Sequence, residues 1–140
     1  APAAASLMYA TVVMRPDIAH AVGVVSRFMH NPNRLQWNVV KHIFIYLVGT
    51  QDYGITFSPD GPSSLVDYTD SDYGAYLDSR KSMSAYCFKF GHECISWMSK
   101  LQDCMVMSTM EAEYIAASDV AKETLWLDRL AVMFKQSDPS

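Results

Sequence analysis

Apolar residues recur at intervals of three and four through the first third of the chain, which is the spacing of amphipathic helices. One run covers residues 16 to 29 and starts on a proline, a residue suited to the first turn of a helix. A second run covers about 34 to 48, with Asn33 as its N-cap and Gly49 just past its end. The pattern predicts a helical first third. The six residues at the head of the chain are interpreted either as a frayed end or as residues foreign to the protein.

From residue 53 the pattern changes to short alternating segments, which are typical of strands. Two of them flank a turn cluster, SPDGPSS, at residues 58–64. The runs SMSAYCFKF and ECISWMS follow, joined by Gly91 and His92, and have the aromatic and β-branched content of a hairpin. We predict an antiparallel three-stranded meander over residues 64–70, 83–90 and 93–99. Its aromatic residues are predicted to be core, namely Tyr86, Phe88, Phe90 and Trp97.

The last third begins with a capping box, Ser108 to Glu111, which predicts a helix from 109 to about 134. This helix is expected to pack on one face of the meander through Ala112, Ala116, Val120, Leu127, Leu130 and Phe134. The predicted fold class is α/β, and α+β-like for the segments present. The predicted organisation is a helical segment over residues 1–58 and a meander with its long helix over residues 59–140.

Composition adds few constraints on the function. The chain has 140 residues, half of them hydrophobic, which is enough for a real core. A net charge of −4 argues against a simple basic surface for nucleic acid, so a bound polyanion would need local Lys or Arg side chains or a metal ion. No apolar run reaches the length of a membrane span, and the head lacks the features of a secretory signal.

Cysteine and histidine offer no metal-binding pattern. The three cysteines form no C-x-x-C motif, so neither a disulfide framework nor a zinc site is predicted. They are interpreted as packing thiols of a reducing compartment, which predicts an intracellular protein, cytoplasmic or nuclear. The four histidines are scattered and are interpreted as ordinary surface or partly buried residues.

The stretch VDYTDSDYGAYLDSRKS carries the candidate chemistry. Asp70 and Asp72 stand two residues apart, so a strand would direct both to the same face. A solvated turn is one interpretation, whereas a calcium-binding loop is excluded because Gly74 and Lys81 replace the required oxygen ligands. The third interpretation is a site for Mg²⁺ or Mn²⁺ shared with Glu113 of the long helix. Glu113 is available because Glu111 is expected to cap the helix.

Two long stretches resemble copia-type retrotransposon polyproteins. Residues 6–50, SLMYATVVMRPDIAHAVGVVSRFMHNPNRLQWNVVKHIFIYLVGT, are similar to the region that follows the polymerase in those proteins. Residues 68–118, YTDSDYGAYLDSRKSMSAYCFKFGHECISWMSKLQDCMVMSTMEAEYIAAS, resemble their ribonuclease H segment. The resemblance covers roughly residues 6 to 135. It implies a ribonuclease H-like fold, preceded by a connection segment, that hydrolyses the RNA strand of an RNA–DNA hybrid with divalent metal ions.

The resemblance also implies roles for individual residues. The family's first metal aspartate corresponds to Asp70 and its helix glutamate to Glu113, with Mg²⁺ or Mn²⁺ as cofactor. Asp72 completes the D-x-D pair and is a weaker candidate for direct metal ligation. Arg80 and Lys81 of the DSRKS motif are candidates for phosphate contacts, with a solvated turn as the alternative.

The family has a third metal aspartate in a D-N motif on a strand after the long helix, and the 140 residues contain no such strand. Asp138 lies in a polar tail and is not assigned that role.

Two hypotheses follow for the function. The first is a ribonuclease H-like fragment that is inactive or feeble alone, so whether it is an enzyme stays open. The second is a domesticated, non-catalytic module that binds protein or nucleic acid. The expected partners are an RNA–DNA hybrid and, through an unpaired edge of the first strand, a second copy of the chain, with no membrane.

Overall fold

The order of elements follows the sequence pattern closely. A computed structural model of the protein describes residues 2–58, 64–75 and 80–137. Parts of three predicted features lie outside the described residues: residues 59–63 of the turn cluster, 78–79 of the DSRKS motif, and 138–140 of the tail. In chain order the elements are α1 (Pro2–Val13), a 3-10 turn (Pro16–Ile18), α2 (Ala19–Ser26), α3 (Arg34–Gly49), β1 (Leu65–Asp72), β2 (Met83–Phe90), β3 (Glu93–Leu101) and α4 (Thr109–Ser137).

Helix α3 begins where its capping sequence predicts. The Asn33 side chain accepts hydrogen bonds from the backbone N–H groups of Leu35 (2.8 Å) and Gln36 (3.1 Å). The Gln36 side chain in turn accepts from the Asn33 N–H at 2.7 Å, which completes a capping box. The end of the helix differs by one residue, because Gly49 is its last residue and Thr50 is the C-cap.

The expectation of a frayed head is wrong, because residues 2–13 form α1. Alanine-rich sequence favours this helix, and Leu7 is 2% exposed, so tertiary packing holds it as well. The helix predicted from residue 16 is also shorter than expected. It opens as the 3-10 turn and ends at Ser26, with residues 27–30 in turns.

The chain divides into two compact units, Ala1–Val66 with Phe88–Lys100, and Asp67–Cys87 with Leu101–Ser140. The first unit has a continuous apolar core made of residues from the helical segment. Its buried members are Leu7, Ile18, Val22, Val25, Val40 and Ile43. The Trp97 indole N–H, also in this unit, donates to the Thr11 carbonyl at 2.6 Å. The predicted boundary between residues 58 and 59 borders the undescribed segment and stays a prediction.

The three predicted strands are confirmed as one antiparallel sheet with the order β1-β2-β3. Strands β1 and β3 each run two residues further than predicted, to Asp72 and Leu101. The alternating segment at residues 53–57 is not a strand, so that prediction is wrong. It follows a turn in which the Tyr53 N–H donates to the Thr50 carbonyl at 3.1 Å, and the described sheet gives it no neighbouring strand.

The predicted aromatic core is confirmed in part. Phe88 is fully buried, and Tyr86 and Trp97 are partly buried. Phe90 is 47% exposed, so its assignment to the core is wrong. Phe90 is the last residue of β2 and precedes the Gly91 turn, so it lies at the end of the sheet.

In the second unit, α4 buries a stripe of four residues: Ala112, Ala116, Val120 and Leu127. Their spacing of four, four and seven keeps them on one face of the helix. Leu130 is only partly buried and Phe134 is 68% exposed, so the predicted stripe extends too far. A 29-residue helix is about 44 Å long, and its exposed last turns lie beyond the buried stripe, which ends at Leu127. None of the described helices is long and apolar enough to span a membrane.

Candidate functional site

The end of β1 presents the first predicted carboxylates. Asp70 and Asp72 both lie in β1 and both are exposed. The turn that follows is defined by Gly74, whose φ of +62° lies in the left-handed region that favours glycine. The Gly74 N–H donates to the Ser82 hydroxyl oxygen at 3.2 Å. This bond ties the turn after the carboxylates to the residue that precedes β2.

The start of α4 shows Glu111 in the capping role that the sequence predicts. The Ser108 hydroxyl oxygen accepts from the Glu111 N–H at 3.2 Å, and the Glu111 carboxylate accepts from the Met107 N–H at 2.8 Å. The carboxylate therefore reaches one residue further back than a standard capping box, but its capping role is confirmed. Glu113, two residues later, is exposed.

A buried polar cluster, made of Ser82, Ser84 and Gln102, lies between these two segments and was not predicted. Gln102 is 4% exposed, and the two serines are 0% and 3% exposed. The Gln102 backbone N–H donates to the Ser82 carbonyl at 2.9 Å, which continues the pairing of β3 with β2. Its side-chain amide donates to the Ser84 hydroxyl (2.8 Å) and to the Ala112 carbonyl (3.0 Å). Only Ser84 lies within a strand, whereas Ser82 precedes β2 and Gln102 follows β3, so the sequence pattern gave no signal that all three would be buried.

The two basic candidates differ in their surroundings. Arg80 is exposed and has a φ of +50°, a backbone conformation that is uncommon outside glycine. Lys81 is partly buried, and its ammonium group donates to the Asp103 carbonyl at 2.5 Å. A phosphate contact by Lys81 would compete with this internal bond. The assignment of both residues to nucleic-acid binding stays a prediction.

The donor type at the candidate site fits a hard cation, because carboxylate oxygens are ligands that Mg²⁺ and Mn²⁺ prefer. Asp70, Asp72 and Glu113 belong to the same compact unit and are all exposed. Within the described residues, no group of three or more His, Cys, Asp or Glu side chains is placed to hold a metal ion. The ligand set therefore stays a prediction, and a pair of carboxylates would hold an ion with several waters.

A second polar cluster, in the helical unit, was also missed by sequence reasoning. The Arg15 guanidinium, in a residue that is 7% exposed, donates to both carboxylate oxygens of Asp17, with a shortest distance of 2.7 Å. It also donates to the carbonyl and the hydroxyl of Thr50 at 3.1 and 2.7 Å. The Tyr46 hydroxyl donates to Asp17 at 2.9 Å. This cluster joins the start of the 3-10 turn to the end of α3.

Hydrogen bonding in this cluster changes the acidity of its members. The bonds from Arg15 lower the pKa of Asp17, against an opposing effect of burial. The bond from the Tyr46 hydroxyl to Asp17 raises the pKa of that phenol. The Arg15 guanidinium and the Tyr46 hydroxyl both donate to acceptors within the cluster, so we interpret it as a structural tie.

Comparison with known proteins identifies the class to which this α/β chain belongs. It is 53% identical over 127 residues to the retrovirus-related Pol polyprotein from transposon TNT 1-94 of Nicotiana tabacum, covering 91% of this chain and 10% of that polyprotein. It is 38% identical over 113 residues to the Pol polyprotein from transposon RE2 of Arabidopsis thaliana, covering 81% of this chain and 8% of that polyprotein. No family model and no solved structure matches the chain.

A short relative is similar along nearly its whole length. The secreted RxLR effector protein 161 of Plasmopara viticola is 42% identical over 125 residues, which cover 89% of this chain and 88% of that protein. The chain thus belongs to a homologous family that includes this protein and a segment of the Pol polyproteins of copia-type plant transposons. It spans about a tenth of the length of the tobacco polyprotein.

Proposed function

We propose that the chain is a retroelement-derived ribonuclease H-like segment, whose ancestral reaction is the metal-dependent hydrolysis of the RNA strand of RNA–DNA hybrids. The homology to transposon Pol polyproteins supports a retroelement origin. One observation carries the finer proposal: exposed carboxylates lie at the end of β1 and in the second turn of α4, while the neighbouring Glu111 is occupied by capping.

Asp70 and Glu113 would hold Mg²⁺ or Mn²⁺, with Asp72 as a weaker ligand. Bound divalent ions activate water and stabilise the leaving oxygen in phosphodiester hydrolysis. The chain's own part is to carry the two carboxylates on rigid elements, β1 and α4, and to keep Glu111 out of the site through its bond to the Met107 N–H. Bound cations would also reduce the repulsion between a chain of net charge −4 and a nucleic-acid substrate.

The substrate side of the proposal depends on Arg80 and Lys81. The exposed Arg80 is free to meet a phosphate of the hybrid, and its guanidinium offers the fork geometry that suits phosphate oxygens. Lys81 would contribute after exchanging its bond to the Asp103 carbonyl. Because these contacts are to the backbone, they would position the hybrid and read no sequence.

The test is cleavage of a labelled RNA–DNA hybrid by the 140-residue chain in Mg²⁺ and in Mn²⁺. We expect weak cleavage, abolished by Asp70→Asn and by Glu113→Gln and retained by Asp103→Asn, which changes an exposed aspartate of the same unit. Cleavage that survives both site variants would assign the activity to other residues or to a contaminant, and the proposal would be rejected.

A second function, a non-catalytic module that binds protein or nucleic acid, is favoured by the short relative. The effector protein of Plasmopara viticola is covered over 88% of its length, so a homologue exists as a short protein. Binding of the hybrid without metal-dependent cleavage, unchanged by Glu113→Gln, would support this alternative. For either function we propose an intracellular location, cytoplasmic or nuclear.

A further inference from the structure

We propose that Gln102 is a positioning residue for Glu113: its buried side-chain amide holds the second turn of α4 against β2 and thereby fixes the direction of the Glu113 carboxylate. The inference rests on the proposed function for its catalytic meaning. Its structural part stands on contacts within one compact unit, which contains Ser84, Gln102 and Ala112.

The contacts connect a strand to the residue directly before Glu113. The Gln102 amide nitrogen donates to the Ser84 hydroxyl at 2.8 Å and to the Ala112 carbonyl at 3.0 Å, so both of its hydrogens are used. The Ala112 carbonyl lies inside the helix and has two lone pairs, one for the helical bond and one for this side chain. Ala112 itself is 0% exposed, so the anchoring point is rigid.

The orientation of the amide follows from its partners. A flipped amide would place its oxygen against the Ala112 carbonyl, and two acceptors cannot share a hydrogen bond. In the orientation that satisfies Ala112, the Gln102 amide oxygen is buried and has no hydrogen-bond partner in the described part of the chain. The donor from the Gln102 amide to the Ala112 carbonyl of α4 is the contact that an apolar residue could not replace.

The other carboxylate-bearing segment is tied to the same strand end. Ser82 accepts from the Gly74 N–H two residues after Asp72, and the Ser82 carbonyl accepts from the Gln102 N–H. Gln102 therefore lies at the junction of two chains of bonds, one leading to the turn after β1 and one leading to α4. Only the bonds that lead to α4 depend on the Gln102 side chain, so a substitution of that side chain tests them selectively.

The test compares Gln102→Met, which keeps length and burial and removes the donor, with Ser84→Ala, which removes the other acceptor and leaves the bond to Ala112. Gln51→Met is the matched control, because Gln51 is exposed and lies in the other unit. Two quantities are measured on each folded chain: hydrogen-exchange protection of the amides of residues 112–116, and affinity for Mn²⁺ by electron paramagnetic resonance of the free ion.

We expect Gln102→Met to keep its melting temperature within a few degrees and to lose hydrogen-exchange protection at residues 112–116. It should bind Mn²⁺ about 10–100-fold more weakly, which is the usual effect of losing a residue that orients a metal ligand. Ser84→Ala and Gln51→Met should resemble the wild type in both quantities. Gln102→Glu, whose carboxylate cannot donate, should reproduce the local loss and serves as the second variant.

Three results would overturn the proposal. The first is unchanged protection at residues 112–116 in Gln102→Met. The second is loss of protection throughout the chain together with a large fall in melting temperature, which would make Gln102 a general structural residue. The third is failure of both Gln102→Met and Gln102→Glu to fold, which has the same meaning. Failure of the proposed function has a different signature: Mn²⁺ affinity of the wild type that is unaffected by Asp70→Asn and Glu113→Gln, whatever happens to local protection.

Discussion

At the residue scale, the helical unit contains an ion pair between the buried Arg15 and Asp17, at 2.7 Å. Replacing Asp17 by Asn should lower the free energy of unfolding at pH 7 by about 1–3 kcal/mol, because a buried guanidinium loses its charged partner. Urea unfolding of Asp17→Asn beside Asp52→Asn, an exposed aspartate of the same unit, measures this difference. Equal effects of the two substitutions would contradict a special role for Asp17.

The same pair predicts the direction of pH dependence. The pKa of Asp17 is lowered in the folded state, so the pair's contribution to stability is fully present above the ordinary aspartate value of 3.8. It is lost as the pH falls below that value and through the lowered pKa. The difference in unfolding free energy between the wild type and Asp17→Asn should therefore be constant from pH 7 to about pH 5 and shrink on further acidification.

Glu111 and Glu113, in the first two turns of α4, should respond oppositely in stability and in activity. Glu111→Ala removes the acceptor for the Met107 N–H and should cost about 0.5–2 kcal/mol of stability. Glu113→Gln changes an exposed side chain and should cost less than about 0.5 kcal/mol, while it abolishes hybrid cleavage. Thermal unfolding and cleavage assays on both variants check this. The separation of roles would be refuted if Glu111→Ala were neutral and Glu113→Gln destabilising.

At the element scale, β1 is an edge strand of the described sheet, and six of its eight residues are exposed. Such an edge is a template for pairing with another chain, and a lysine on it opposes pairing. If the chain self-associates through β1, Val66→Lys should weaken the association roughly fivefold, which corresponds to ~1 kcal/mol for like charges brought opposite each other. Sedimentation at several concentrations measures the dissociation constant.

Helix α1 is the rival surface for self-association and supplies the control. It is apolar on nearly all sides, and Val12 is 75% exposed. Val12→Lys should leave the dissociation constant unchanged if β1 is the interface. The opposite pattern, with Val12→Lys weakening association and Val66→Lys having no effect, would assign the contact to α1.

At the scale of the whole molecule, we expect the proposed set of metal ligands to limit the rate of cleavage. The 140-residue chain should cleave hybrid RNA at most marginally, because two or three carboxylates hold a second metal ion weakly. Supplying the strand with the D-N motif that the resemblance places after the long helix, in cis or as a peptide, should raise the rate by about 10²–10³-fold. The control is the same strand with its aspartate replaced by asparagine, and equal stimulation by both would show that the strand acts only by covering the edge of β1.

Local signals in the sequence determined much of the fold. The caps of α3 and α4 were predictable because each is formed by residues within four positions of one another. The strands were predictable from alternation, and the exposed Glu113 could be separated from Glu111 by the capping pattern alone. These features depend on contacts that the local sequence itself contains.

Tertiary structure decided the rest, because the contacts involved join residues far apart in the chain. Arg15 meets Thr50, 35 positions later, and Trp97 meets Thr11 across 86 positions. Gln102 reaches Ser84 and Ala112 at separations of 18 and 10, and a glutamine after a strand carries no local sign of such burial. The alternating segment at 53–57 shows the converse: its pattern favours a strand, but a strand also needs a neighbour to pair with, and the described sheet provides none.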